Sequence, residues 1–212
     1  MSLRLLPIFP LNLVVYPGEK LNLHIFEPRY RQLIADCVAQ NITFGIPPFL
    51  DDSLQIIGTE MRLVKLERSY PSGESDVRTL GTGRFRVQEV LKQAPGKLYA
   101  AAYVEELRDD PTADLLLRQR ITTLIEQLYN ILGLQKLFID LDPAYTTFDV
   151  AHHLGLTTEQ EYELLASLSE TERQAIVLEH LERVLPVLQE SEKLKERVRQ
   201  NGHFKHLTPP NF

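Results

Sequence analysis

The feature that most limits the fold of this chain is a change of hydrophobic period at Asp109-Asp110-Pro111. Apolar residues at every second position suit one face of a strand, whereas a spacing of three to four suits one stripe of a helix. Before residue 109 the apolar runs are short and are separated by Pro, Gly and Asn; after it they recur at helical spacing. The charge changes at the same place. Residues 1–108 carry 13 Lys+Arg and 12 Asp+Glu, whereas residues 109–212 carry 10 and 17.

In the first half, residues 8–15 form an apolar run closed by the turn signal Tyr16-Pro17-Gly18-Glu19. Residues 21–26 alternate as a half-buried strand should, and residues 42–46 are a third run stopped by Pro47-Pro48. Residues 56–66 and 79–91 flank the polar stretch 69–75, which predicts a long hairpin, and residues 98–104 are the last strand candidate. One helix is predicted over 28–40, with Tyr30, Leu33, Ile34, Cys37 and Val38 along one side. Six short strands and one helix predict a small curled sheet or partial barrel.

The second half reads as helices. Leu117, Ile121, Leu124, Leu128 and Ile131 make a stripe that Leu116, Ile125 and Leu132 widen, and Gly133 suits a left-handed cap. Thr146 with Asp149, Thr157 with Gln160, and Ser169 with Glu172 have capping-box spacing, which predicts helices at about 147–154, 158–167 and 170–200. The last is expected to kink or break at Pro186, which has no amide proton, and Gly202 to end it. The expected class is therefore α+β: a β-rich part over 1–108, a helical bundle over 109–202 and a tail over 203–212.

Several chemistries lack their residues. The one Cys, Cys37, cannot form an internal disulfide; its apolar neighbours predict a buried thiol, and a reducing, cytoplasmic setting follows. The N-terminal residues run into Pro7 and Pro10 too soon for a secretory signal, and no apolar run has the length of a membrane span. A net charge of −6 argues against nucleic-acid and anionic-membrane partners. A phosphate cradle needs Gly-x-x-x-x-Gly-Lys-[Ser/Thr], a string this chain lacks, and Gly81-Thr82-Gly83 precedes no helix. His152 and His153 are neighbours on a helix and point apart, and the His203-x-x-His206 spacing lies in the tail. Gly-x-Ser-x-Gly does not occur, and solvation explains the Asp140 and Asp142 pair. No catalytic residue, cofactor or metal site is expected.

The opening residues are more specific. Pro7-Ile8-Phe9-Pro10-Leu11, then Val14-Val15-Tyr16-Pro17-Gly18-Glu19, resembles the start of the Lon N-terminal domain, the substrate-receiving part of an ATP-dependent protease. Leu23-His24-Ile25-Phe26-Glu27-Pro28-Arg29-Tyr30 resembles the form found in free-standing Lon-domain proteins and the Lon-like domain of cereblon. Gly58-Thr59 and Gly83-Arg84-Phe85-Arg86-Val87 are similar to later family strands, with Gly81 the better match to the family glycine. The resemblance covers about residues 5–185 and is strongest over 5–108. It implies a PUA-like Lon N-domain architecture. Neither the ATP site nor the peptidase domain of a complete Lon is legible, so a non-enzyme is expected.

These residues also have plain physical jobs. Pro17-Gly18 suits a tight turn, and Gly81 beside Gly83 suits a bulge. Glu27 and Arg29 suit pairing with each other, or with Arg84 or Arg86, to hold helix to sheet. The resemblance implies binding of unfolded or exposed polypeptide segments, in an adaptor or chaperone-like role beside a separate ATPase or protease. The apolar stripe of the last helix also permits a homo-oligomer. Candidate peptide-binding residues are Tyr16, Phe26, Phe49, Tyr70, Tyr99 and Tyr103, with Tyr16 and Tyr70 expected to be exposed and Phe26 expected in the core. The alternatives are a small-molecule receptor with a closed apolar pocket, and an enzyme with strongly shifted titratable groups in a cleft.

Overall fold

The computed structural model describes residues 3–134 and 142–202; Asp140, His203, His206 and the tail lie outside the described residues. The chain is α+β and groups into two compact units, one of Met1–Pro111 with Phe148–Glu170, the other of Thr112–Thr147 with Thr171–Phe212. Where the sequence draws one boundary at residue 108, the grouping is discontinuous: a helical segment from the second half belongs with the sheet.

The first unit holds β1 (Arg4–Pro7), β2 (Lys20–Ile25), α1 (Pro28–Gln40), β3 (Phe44–Ile46), β4 (Phe49–Leu50), β5 (Ser53–Leu54), β6 (Ile57–Ser69), β7 (Ser75–Leu91) and β8 (Ala101–Leu107). The main sheet is antiparallel in the order β1-β8-β7-β6-β3, with β2 paired to β7 over Ser75–Leu80. Isolated parallel bridges Ile8↔Gly45 and Leu11↔Pro48 draw the two edges toward each other, so the sheet curls without closing into a barrel. β7 is its spine. Between Glu60↔Gly83 and Met61↔Gly81 the register slips by one residue, the bulge that the paired glycines predict.

Phe85, fully buried with Leu6, Ile8, Ala102 and Val104, fills the inside of the curl. Gly45 and Gly58 flank its ring, and a Cβ at either would lie 2.5 Å from it. A second core forms where α1 lays Tyr30, Leu33, Ile34 and Cys37 against Ile25, Phe44, Met61 and Val77. Each fully buried apolar side chain contributes about 1.5–3 kcal/mol. Burial, with Asp36 beside it, pushes the Cys37 thiol up to about 11, so this thiol is inert core. Val38, expected on the same side, is exposed, because it stands a full residue step around the helix.

The strand expectations shift in several places. Residues 8–15 are not a strand: Pro10 lacks a donor, pairing is limited to isolated bridges at Ile8 and Leu11, and side-chain burial holds much of the run. The last strand starts at Ala101 rather than at residue 98, after a turn in which Gly96 has φ +70°. The long hairpin is longer than expected at both strands. A small hairpin, β4–β5, turns on Asp51 and Asp52 with φ of +48° and +57°.

The same unit receives α3 (Thr147–Val150) from Phe148 onward, a 3₁₀ turn at Ala151–His153 and α4 (Thr158–Ala166). α4 starts on the expected capping box: Thr157 accepts from the Gln160 amide and the Gln160 side chain accepts from the Thr157 amide.

In the second unit α2 (Leu115–Leu132) buries Ile121, Leu124, Ile125, Leu128 and Tyr129 and ends on Gly133 in the left-handed conformation. Leu116 and Leu132, read as part of the stripe, are exposed instead. Asp114 caps the start by accepting from the Leu116 and Leu117 amides. α5 (Glu170–Gly202) runs through Pro186 without a break, where the sequence predicts a kink or a break. Pro186 is solvent-exposed, as is Glu182 one turn earlier, so water can take the carbonyl that loses its helical partner. Gln174 on α5 accepts from the Asp114 amide, and Leu181 and Leu185 are buried, whereas Leu194 and Val198 are exposed. No helix among the described residues is long and apolar enough to cross a membrane.

Candidate functional site

The turn Tyr16-Pro17-Gly18-Glu19 forms as the sequence predicts, with Pro17 at its second position, Gly18 at φ +85° and the Glu19 amide donating to the Tyr16 carbonyl. Three bonds lash it to the sheet. Gly18 N–H donates to the Gly81 carbonyl and Gly81 N–H to the Glu19 carbonyl, each at 2.9 Å, and the Thr59 hydroxyl donates to the Val15 carbonyl. Gly81 has no room for a side chain, since a Cβ there would lie 2.3 Å from the Tyr16 carbonyl oxygen.

The Tyr16 side chain corrects the exposure expected for it: only 1% is accessible. Its ring stacks on Phe148 at 4.9 Å, and its hydroxyl donates to the Glu161 carbonyl at 3.0 Å. Burial, then Glu161 and Glu19, drive its pKa far above the usual tyrosine range, so it stays a neutral donor.

His152, on the 3₁₀ turn, lies 4.7 Å from the Tyr16 ring and bridges two carboxylates. Its Nδ1 is 2.8 Å from Glu161 Oε1 and its Nε2 is 3.1 Å from Glu19 Oε2, which also accepts the Tyr16 amide. Both ring nitrogens face carboxylates, so both carry protons. The bond to Glu19, with the bond to Glu161 and both charges, outweighs desolvation and lifts the imidazole to about 9.

A raised folded-state pKa stabilises the fold fully below the unfolded value of about 6.5 and loses that contribution as pH rises through about 9. The side chain is partly exposed, so screening reduces the effect to about 1–2 kcal/mol. Urea unfolding from neutral to alkaline pH should show that loss in the parent and not in His152→Gln. A His152 ring titrating near 6.5 by NMR would contradict the bridge.

Around this network lies a cleft of about 510 Å³. Leu13, Pro17, Leu21 and Phe148 give it apolar walls, and Glu19, Asp149, His152, His153 and Glu161 its polar ones. Gly18 and His153 on its rim are solvent-exposed, so it opens outward. A clamped imidazolium has no lone pair to act as base, and no Ser, Cys or Lys lines the cleft to act as nucleophile. The shifted histidine therefore holds the turn to the helices. No cluster of three metal-ligating side chains occurs among the described residues.

Arg84 closes the same structure from the sheet side. Its side chain is 2% exposed; one terminal nitrogen donates to the Leu165 carbonyl at 2.6 Å and to the Ser167 carbonyl, the other to Asp109 Oδ1 at 2.8 Å. Glu27 and Arg29 pair with each other at 2.7 Å on the surface, and among the described residues neither is paired with Arg84 or Arg86.

The remaining candidates divide. Phe26 is 59% exposed, against the expectation of a core position, because β2 ends at Ile25. It stacks on His24, whose ring meets half-buried Tyr70 edge-on at 5.9 Å, so these two candidates share one surface. Tyr70 donates to Asp76 at 2.7 Å. Tyr99 is buried and donates to Asp36 of α1. Phe49 and Tyr103 are exposed on β4 and β8, and no ring contact joins them to the others among the described residues. Sequence reasoning missed Glu19, Phe148, His152 and Glu161 as a group. Glu19 and His152 stand 133 residues apart, and no local spacing signals their contact.

The chain is similar to known proteins in sequence and fold. Residues 5–183 match the model of the ATP-dependent protease La (LON) substrate-binding domain. A Lon protease 2 from Myxococcus xanthus is 26% identical over 216 residues, covering 92% of this chain and 26% of that protein. Cereblon from Danio rerio is 27% identical over 132 residues, covering 58% of this chain and 31% of its own. The chain thus spans between a quarter and a third of the length of these relatives. Among solved structures, a Lon N-terminal domain protein from Xanthomonas campestris has a TM-score of 0.63 at 28% identity, covering 82% of this chain and 97% of that one. The N-terminal domain of a Mycobacterium avium complex Lon protease has a TM-score of 0.65 at 17% identity, covering 84% and 98%. The family model spans most of the chain, and this chain belongs to the Lon substrate-binding domain family.

Proposed function

We propose that this chain is a non-catalytic polypeptide-binding module that takes exposed apolar segments of unfolded proteins. In this reading it serves cytoplasmic protein quality control as an adaptor or chaperone-like factor, handing segments to a separate ATPase or protease. The observation that carries the reading is the cleft beside the Tyr16–Glu19 turn, with apolar walls, polar groups and a rim open to solvent. An open groove suits a chain that enters and leaves along its length, whereas a small-molecule receptor encloses most of its ligand. The family membership supports the same reading, because the matching family model is named for substrate binding.

The test is titration of the purified protein with a permanently unfolded, reduced and alkylated model protein and with its folded parent. Saturable binding at micromolar concentration to the unfolded form alone is expected. Binding to neither form at high micromolar concentration would overturn the module, and equal binding to both would remove its preference for unfolded chains.

A further inference from the structure

The charge around the cleft is one-sided. Three carboxylates line it, from Glu19, Asp149 and Glu161, with no Lys or Arg among the lining residues. His152 sits between two of these carboxylates and offsets one negative charge, which leaves the cleft net acidic. The Glu19 and Glu161 carboxylates keep acceptor capacity. Glu19 Oε2 takes both the Tyr16 amide and His152, and Glu161 Oε1 takes His152; among the described residues, Glu19 Oε1 and Glu161 Oε2 receive no protein donor. Beside these acceptors lie the apolar surfaces of Leu13, Leu21 and Phe148.

On the reading that the cleft takes polypeptide, we propose that its preferred occupant is an extended segment carrying a Lys or Arg next to an aliphatic or aromatic side chain. The apolar side chain lies on the Leu13, Leu21 and Phe148 walls, and the cation donates to the carboxylate oxygens that His152 leaves open. Charge-assisted bonds at a half-buried site are stronger than those between exposed groups, so the cation adds affinity as well as orientation. An acidic segment meets repulsion and offers these oxygens no cationic donor.

Three decapeptides test this, sharing one Leu-Phe centre and flanked by Lys, by Gln or by Glu. They are titrated into the whole labelled protein at low and high salt, with NMR amide shifts locating the contact. The Lys peptide is expected to bind about tenfold more tightly than the Gln peptide, with the Glu peptide weakest. Shifts should center on Gly18, Leu21 and His152, and added salt should narrow the differences. Equal affinities with shifts at the cleft would overturn the basic preference and leave the polypeptide-binding module standing. Shifts confined to Phe26 and Tyr70 would overturn this site, as would perturbation of the cleft by self-association of the free protein. No shift with any peptide would overturn both readings.

Discussion

Arg84→Met should lower the unfolding free energy of the unit that holds the cleft by about 3–5 kcal/mol, the usual cost of removing one partner from a buried charged network. The guanidinium is 2% exposed and spreads its donors over the Leu165 and Ser167 carbonyls and the Asp109 carboxylate. The two carbonyls lie at the C-terminal end of α4, where the last carbonyls have no helical partner and the helix dipole favours a cation. Met matches the length of the side chain but supplies no donor, so the buried Leu165 carbonyl loses this partner at about 1–3 kcal/mol, and the Ser167 carbonyl loses a charge-assisted bond. Asp109, with a third of its side chain accessible, recovers water and costs less. Arg84→Lys should recover part of the loss, because one ammonium cannot fork toward three acceptors. Chemical denaturation gives the magnitude, and hydrogen exchange tells where it falls: α4 amides should lose protection before those of β7. A loss under 1 kcal/mol for Arg84→Met would mean that the three bonds do not hold α4 to the sheet.

Arg84 also marks the limit of what the sequence discloses. Its family position is legible beside Phe85, yet its partners lie 81 and 83 residues onward and carry no pattern, since any backbone carbonyl can accept. Locally determined features read well. The helix at 28–40, the turn at Pro17-Gly18, the glycine cap at 133 and the Thr157–Gln160 box each depend on residues within a few positions. The glycines beside Phe85 show an intermediate case: Gly58 is legible as a family residue, but its reason, the Phe85 ring against it, belongs to the folded sheet.

Side-chain exposure read worst. Tyr16 sits in a turn, where exposure is the usual outcome, but Phe148 and Glu161 cover it from far along the chain. Phe26 follows an alternating strand, where burial is the usual outcome, but the strand ends one residue before it. The Asp51-Asp52 turn escaped notice because its left-handed pair lacks the Asn-Gly or Asp-Gly signature. The cleft inherits all these difficulties, since one wall comes from residues 13–21 and the other from 148–161.

Gly81→Ala joins these threads, and its expected effect is as large as any single methyl should produce. Its Cβ would lie 2.3 Å from the Tyr16 carbonyl oxygen and 3.2 Å from Thr59 Cγ2. The obstructing atom is backbone, held by the Gly18–Gly81 and Gly81–Glu19 hydrogen bonds, so it cannot swing aside as a side-chain end would. The turn must lift from β7, at about 3 kcal/mol of overpacking and lost hydrogen bonding. Gly83, two residues on, supplies the control. A Cβ there meets nothing within 4 Å, so Gly83→Ala should change stability by no more than about 0.5 kcal/mol. The consequence at the cleft is separate from the stability. A lifted turn carries Glu19 away from His152, removing the largest of the influences that hold its pKa near 9. In Gly81→Ala the His152 ring should therefore titrate closer to its ordinary value, with Glu161 as its remaining partner, while Gly83→Ala keeps the parent titration. Binding of the apolar test segments should weaken in Gly81→Ala, because Leu13, Pro17 and Leu21 shift with the turn. If Gly81→Ala instead proves as stable as Gly83→Ala and leaves the His152 titration in place, the turn is not anchored at Gly81, and the cleft's near wall must be held by other contacts.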